Sequence, residues 1–263
     1  MSWLYIVLFS FIQGVTEFLP VSSSAHLLAL PYILGIEDQG VVVDVCAHIG
    51  SLLAVLFVFR RDILDMAADF FRWKKSSSFD LVFKIALATV PITLFAGAVF
   101  FLDINMFRNP LIPIFTLFAF GILLWAADAR FKGKKDMGKL SFKDALFIGC
   151  GQAIAIIPGV SRSGICLTGG IVRGMTRQAA VKFAFLLSIP SIMLAGAGAA
   201  FEYIRAPEPA ASTVQLLAII LLSFVFSLGA IRFMLAWISR FSFKAFAIYR
   251  VAFAIVLASL LLW

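Results

Sequence analysis

The sequence predicts an all-α integral membrane protein: six transmembrane helices plus two re-entrant helical hairpins, arranged as an inverted repeat. Three observations carry that expectation. The 263 residues are 62% hydrophobic and only 14% charged, with a mean hydropathy of +1.04, more apolar surface than a soluble domain can hide. Several apolar runs are about 20 residues long, the length of a helical span rather than of a barrel strand. Two further hydrophobic stretches, about 3–35 and 142–172, are interrupted near their middles by Pro, Ser and Gly.

The first broken stretch, 3–35, opens the chain. Met1 to Ile12 has neither a basic n-region nor a small-residue cleavage site, so no cleaved signal is expected. The stretch has room for two half-length helices but not two full spans. Non-helical backbone at membrane depth needs protein or a wet cavity around it, so a re-entrant hairpin follows. Spanning helices are then expected near 39–59, 80–101 and 110–130. The stretch 142–172 repeats the hairpin pattern, and spans near 178–201, 213–237 and 244–262 follow. One membrane domain, 1–263, thus divides into halves of about 1–135 and 136–263.

Loop charge sets the orientation. Arg60, Arg61, Arg72, Lys74 and Lys75 occupy the 60–79 connection, which is read as a loop. Arg130, Lys132, Lys134, Lys135, Lys139 and Lys143 occupy the 130–143 connection. Arg173, Arg177 and Lys182 follow the second hairpin, and Arg232, Arg240 and Lys244 flank the break before the last helix. The opposite connections carry Arg108 in one, and Arg205 with Glu202 and Glu208 in the other. The positive-inside rule places the basic loops in the cytoplasm and both termini outside. The first hairpin then enters from outside and the second from inside. Inverted repeats of this kind place their sites near the midplane, where broken helices meet. At an offset of 138 residues Pro20 meets Pro158 and Ser23 meets Ser161. The net charge of +8 is accounted for by topology and anionic lipid, not nucleic acid. Cys46, Cys150 and Cys166 lie in apolar runs without metal or disulfide spacing and read as packing.

Charged and polar residues inside a bilayer are costly, and are usually paired and functional. In the first hairpin Gln13 and Glu17 share a helix face. Pro20 breaks that helix, and Ser22, Ser23 or Ser24 can cap the next, one turn before His26. A hydroxyl, an imidazole and a carboxylate converging at depth make an activated nucleophile. The same residues serve equally as caps, as a carbonyl-bonded histidine and as an interhelical lock, and spacing alone does not choose. In the second hairpin Pro158-Gly159 ends one half-helix and Ser161 caps the next. Free N–H groups at that helix start form an anion site. Arg162 adds a forked donor matched to phosphate, with Ser163 and Thr168 as further hydroxyls. Arg162 paired structurally with Glu17 is the competing reading. Together the two clusters favour phosphoryl chemistry over acyl transfer.

Asp44 and His48, one turn apart at the outer start of the first span, either order the pocket rim or assist protons, or form a satisfied pair between helices. Arg250, inside the last helix, is expected to snorkel or to bond exposed carbonyls near the cytoplasmic face. The 29 phenylalanines read as lipid-facing bulk and packing, with a groove for a lipid tail as the alternative, and Gly196 with Gly198 suggests close helix contact.

QGVTEFLPVSSSAH at 13–26 and PGVSRSG at 158–164 resemble the paired signature motifs of the undecaprenyl-diphosphate phosphatase family of the bacitracin-resistance type. The resemblance extends through VDVCAHIGSLLAV at 43–55 and KFAFLLSIPSIM at 182–193 and covers essentially the whole chain. It implies removal of the terminal phosphate from a polyprenyl diphosphate carrier lipid in the bacterial plasma membrane, from a site open to the outer face. It carries over Glu17, Ser23, His26 and Arg162 as the catalytic core, with Gln13, Ser22, Ser161, Ser163 and Thr168 in substrate binding. It also implies a divalent cation, magnesium or calcium, bridging the diphosphate, and no organic cofactor; a homodimer is left open. Where the family has Glu or Gln, this chain has Gln13, leaving one carboxylate and a poorer site for a hard dication. Ser23 is expected to attack phosphorus, with His26 the rival nucleophile. A polyprenyl-phosphate flippase is the alternative of a different class, since broken helices in inverted repeats are transporter architecture. The nucleophile-capable set beside Arg162 favours the enzyme.

Overall fold

The structure, a computed structural model, describes residues 1–36, 39–101, 111–205 and 211–262. Arg108 and Glu208 of the charge argument lie outside these. The described chain is helical apart from one isolated bridge, Lys135 to Met175, and a 3-10 turn at Met137–Lys139. The helices are α1 (Trp3–Phe18), α2 (Ser23–Leu34), α3 (Val41–Val58), α4 (Arg60–Phe71), α5 (Ser77–Phe101) and α6 (Leu111–Arg130). They continue as α7 (Phe142–Ile154), α8 (Arg162–Val172), α9 (Arg177–Arg205), α10 (Thr213–Trp237) and α11 (Lys244–Leu262). Among the described residues α3, α5, α6, α9 and α10 are long and apolar enough to cross a membrane. The chain is therefore a multi-pass membrane protein. The sixth expected span coincides with α11, about 28 Å long at the helical rise.

Both interrupted stretches form helix pairs, α1 with α2 and α7 with α8. Pro20 disfavours helical backbone at the residue before it, and Leu19 is extended with φ −76° and ψ 145°. Ser22 (φ 73°) and Ser161 (φ 69°) then open α2 and α8. Positive φ at a non-glycine residue costs about 1–3 kcal/mol and persists where the surroundings over-determine it. Ser161 caps α8 by accepting from Gly164 N at 3.2 Å. Ser22 occupies the cap position of α2 without making a side-chain cap bond; its hydroxyl meets that of Ser24 at 3.2 Å. None of the three serines therefore caps α2 in the way the sequence allows.

The 60–79 connection departs from expectation, since most of it is α4. Ile63, Met66, Ala67 and Phe70 recur at helical spacing. Met66 is buried and Ile63 packs against the main core, while Arg60 and Arg61 stay exposed. The stripe suffices for a helix packed against α5 and the end of α3.

Packing relations recur between the halves. α1 lies against α10 as α7 lies against α5, and α3 meets α10 as α9 meets α5. α3 meets α9, and α6 meets α11. Two glycines permit the hairpins' close approaches. A Cβ at Gly14 would come within 2.7 Å of Phe226 Cβ on α10, and one at Gly149 would collide with the Ala88 backbone on α5.

The basic connections are tied to each other by three aspartates. Asp144 holds Arg173 Nε at 2.7 Å and Lys135 Nζ at 3.1 Å. Asp128 holds Arg177 Nε at 2.6 Å and accepts from Phe243 N at 2.9 Å. Asp62 holds Lys182 Nζ at 2.5 Å.

Candidate active site

The breaks of the two hairpins meet around a cavity of about 230 Å³. Four pairs of its wall residues are 139 positions apart: Thr16 with Ala155, Glu17 with Ile156, Ser22 with Ser161, and Ser23 with Arg162. Gln13 and Gln152, both fully buried, have the same separation. The register differs by one from the Pro20–Pro158 match. The strained serines that start each half-helix set it, and Pro158 then falls opposite Leu19.

Glu17 is the hub. Its carboxylate accepts from Arg162 Nη2 at 2.5 Å, from Ser23 Oγ at 2.8 Å and from Gln13 Nε2 at 3.2 Å. Bonds to a carboxylate are stronger than neutral ones, and the 6% exposure of this side chain removes competing water. Arg162 also donates through Nη1 to the Ser188 carbonyl at 3.0 Å, which fixes its guanidinium plane on the wall. Arg162 thus makes the pair with Glu17 that was its competing reading, and it also lines the cavity beside the start of α8.

Gln13 Nε2 also meets His48 Nδ1 at 2.9 Å. His48 Nδ1 lies 3.8 Å from Glu17 Oε2, a contact that would be an ion pair only with Nδ1 protonated. The shorter amide contact decides against that, because an amide nitrogen has no lone pair to offer.

His26 is not brought to this cluster. Its Nδ1 is 2.7 Å from the Ser22 carbonyl and its Nε2 is 2.6 Å from Tyr249 Oη. Its ring stacks on Phe253 with centroids 4.1 Å apart. A carbonyl only accepts, so the proton sits on Nδ1 and Nε2 accepts from the tyrosine. Both ring nitrogens are thereby occupied away from Ser23.

The binding residues divide likewise. Ser22 and Ser161 line the cavity. Ser163 donates to the Leu19 carbonyl at 3.0 Å, tying one break to the other. Thr168 bonds back to the Gly164 carbonyl at 2.8 Å within α8, off the cavity wall. Ser24, which does not cap α2, lines the cavity and accepts from Gly159 N at 3.4 Å.

Arg250 holds the breaks in place and does not snorkel. It is fully buried. Its Nη2 donates to the carbonyls of Gly159 at 2.9 Å, Val160 at 3.0 Å and Thr116 at 3.3 Å. Nε reaches Leu117 O at 3.3 Å and Nη1 reaches Pro20 O at 3.5 Å. Thr116, which the sequence reading passed over, donates to the Pro158 carbonyl at 2.6 Å. A lone arginine inside an apolar helix was the available signal, since such a charge needs buried partners.

A second cavity of about 260 Å³ adjoins the first, sharing Ser23, Ser24 and His48 and adding Asp44 and Gln39. Gln39 Nε2 donates to Asp44 at 2.8 Å. Among the described residues no three His, Cys, Asp or Glu side chains are grouped to hold a metal ion. The one carboxylate at the hub is already committed to Arg162. The donor set does not fit a dedicated dication site.

Similarity to known proteins extends over nearly the whole chain. The family model described as bacitracin resistance protein BacA matches residues 6–256. Undecaprenyl-diphosphatase 2 of Stutzerimonas stutzeri is 38% identical over 266 residues, covering 98% of this chain and 97% of that protein. Undecaprenyl-diphosphatase of Chromohalobacter salexigens is 40% identical over 261 residues, 98% of each chain. Undecaprenyl-diphosphatase of Alteromonas mediterranea is 39% identical over 267 residues, covering 100% of this chain and 98% of that protein.

Proposed function

Because the chain belongs to the bacitracin resistance protein BacA family, we propose that it hydrolyses undecaprenyl diphosphate to undecaprenyl phosphate and phosphate. The enzyme is a membrane phosphatase that returns the carrier lipid to cell-wall polymer synthesis and so confers bacitracin resistance. The observation that carries the reading is the Ser23 hydroxyl, 2.8 Å from a carboxylate that Arg162 also holds, on the wall of a cavity.

Ser23 Oγ attacks the terminal phosphorus in line, and its proton passes to Glu17. Arg162 and the N–H groups at the start of α8 take the charge on the equatorial oxygens. Undecaprenyl phosphate leaves, and water then releases phosphate from the phosphoserine. Binding of the diphosphate loosens the Arg162–Glu17 pair, which frees the carboxylate to act as base. A magnesium or calcium ion would arrive on the diphosphate as its counter-ion. His26 acts on the site from behind, by fixing the Ser22 carbonyl and with it the position of Ser23.

The paired packing relations and the 139-residue register support an inverted repeat of two hairpins and six spans. On that reading the cavity lies on the pseudo-twofold axis. Ser23 and Arg162 are equivalent positions that have diverged into nucleophile and phosphate clamp. Glu17 has Ile156 as its counterpart at that register, so a single carboxylate meets the anionic substrate. The basic connections support a cytoplasmic face at their end of the molecule, and with it a site that opens to the outer face of the plasma membrane.

The test is phosphate release from undecaprenyl diphosphate by purified protein. Glu17→Ala and Arg162→Ala should each lower turnover by at least about a hundredfold. A phosphoenzyme trapped by acid quench should map to Ser23. Label on His26, or a fully active Ser23→Ala, rules out the serine mechanism. A folded wild type without activity across divalent ions and chain lengths would make the carrier function in liposomes the next assay.

A further inference from the structure

His48 comes from α3, outside both hairpins, and stands where the two cavities meet. Its side chain is 32% exposed, so one edge of the ring reaches the cavity while the other is bonded. The bonded edge is Nδ1, which accepts from Gln13 Nε2. Glu17 fixes which way that amide faces, because Nε2 lies 3.2 Å from its Oε2. A reversed amide would put the Gln13 oxygen against the carboxylate. The orientation has a visible cost: Gln13 Oε1 is buried without a hydrogen-bond partner, a loss of about 1–3 kcal/mol. A neutral imidazole that accepts at Nδ1 carries its proton on Nε2.

We infer that His48 donates a hydrogen bond from Nε2–H to a phosphate oxygen of the bound diphosphate, in a tautomer imposed by Gln13. This rests on the phosphatase reading above and adds a catalytic residue to it. Nε2 so protonated has no lone pair with which to take a proton, so His48 is a donor and not a base. Proton abstraction from Ser23 is left to Glu17. The division of labour is electrostatically consistent. A cationic His48 at 3.8 Å would compete with Arg162 and Ser23 for the carboxylate that must accept the proton. A neutral donor steadies the phosphoryl oxygens without doing so. Gln13 thereby has a role that does not require a second carboxylate or a metal.

Two amide replacements separate this role from a structural one. The Gln amide nitrogen reaches the place of Nε2, whereas the Asn amide reaches only that of Nδ1. In folded protein, matched to wild type in elution and Tm, His48→Ala should lower kcat on the order of 10²-fold with little change in KM. His48→Gln should recover most of that loss, and His48→Asn should not. Recovery by Asn equal to or better than Gln would show that the contact to Gln13 is what matters, and would overturn the assignment. So would an unimpaired His48→Ala. Histidine labelled with nitrogen-15 gives a second readout, since the chain has two histidines. The resonances lost in His48→Gln should report a protonated Nε2 and a bare Nδ1. The opposite tautomer at His48 overturns the inference whatever the turnover of the variants. A wild type that releases no phosphate removes the parent reading and this one together, whereas an active wild type with Asn-type recovery removes this one alone.

Discussion

The two histidines illustrate how much a side chain's role depends on the atoms its nitrogens meet. His26 carries its proton on Nδ1, toward the Ser22 carbonyl, and accepts from Tyr249 at Nε2. His48 is wired the other way by Gln13. The positioning role of His26 predicts that His26→Asn, whose amide nitrogen replaces Nδ1, retains more turnover than His26→Ala. Equal rates for the two in a phosphate-release assay would refute it. The types of residue at the site were legible from sequence: Glu17, Ser23 and Arg162 stand out as polar groups in apolar surroundings, and the structure joins them. The partner of His26 was not legible. Spacing within α2 sees the carbonyl one turn back, but not a tyrosine 223 residues away. His48 stood out in sequence with Asp44, as a rim, proton-assisting or pairing residue, but its bond to Gln13 was not legible because it joins two helices.

At the scale of elements, the hairpins were readable because their interruptions are chemical: Pro20 and Pro158 with small or hydroxyl neighbours, inside otherwise continuous apolar sequence. Helix α4 was not, because dense charge in 60–79 masks a narrow apolar stripe. The cavity-wall pairs fall 139 residues apart rather than the 138 of the two prolines, because a strained serine and not the proline opens each half-helix. The helix contacts of the hairpins are narrow. Gly149→Ala forces α7 away from Ala88 on α5, and overpacking of this kind costs about 1–3 kcal/mol. A lower Tm in detergent, with reduced turnover because α7 carries the break with it, is the expected outcome. An unchanged Tm would mean that the two helices can separate without strain.

At the scale of the molecule, the aspartate ties gather the basic connections of both halves at one end. If that end is cytoplasmic, Lys132→Cys in a cysteine-free background should react with an impermeant maleimide only after cells are opened. Ser2→Cys should react in intact cells, and the reverse pattern would invert the topology. The polarity of loops was plain in the sequence, whereas the ties that cross between loops were not, since each joins segments far apart in the chain. Arg250 adds a consequence for biogenesis. Every residue of the two motifs precedes α11 in translation, yet the carbonyls at both breaks, Pro20 in one and Gly159 and Val160 in the other, close on a side chain carried by that helix. A nascent chain can thus hold its complete motif set in the membrane while the breaks still lack their shared donor. The breaks acquire that donor only once α11 has been made and has packed against them.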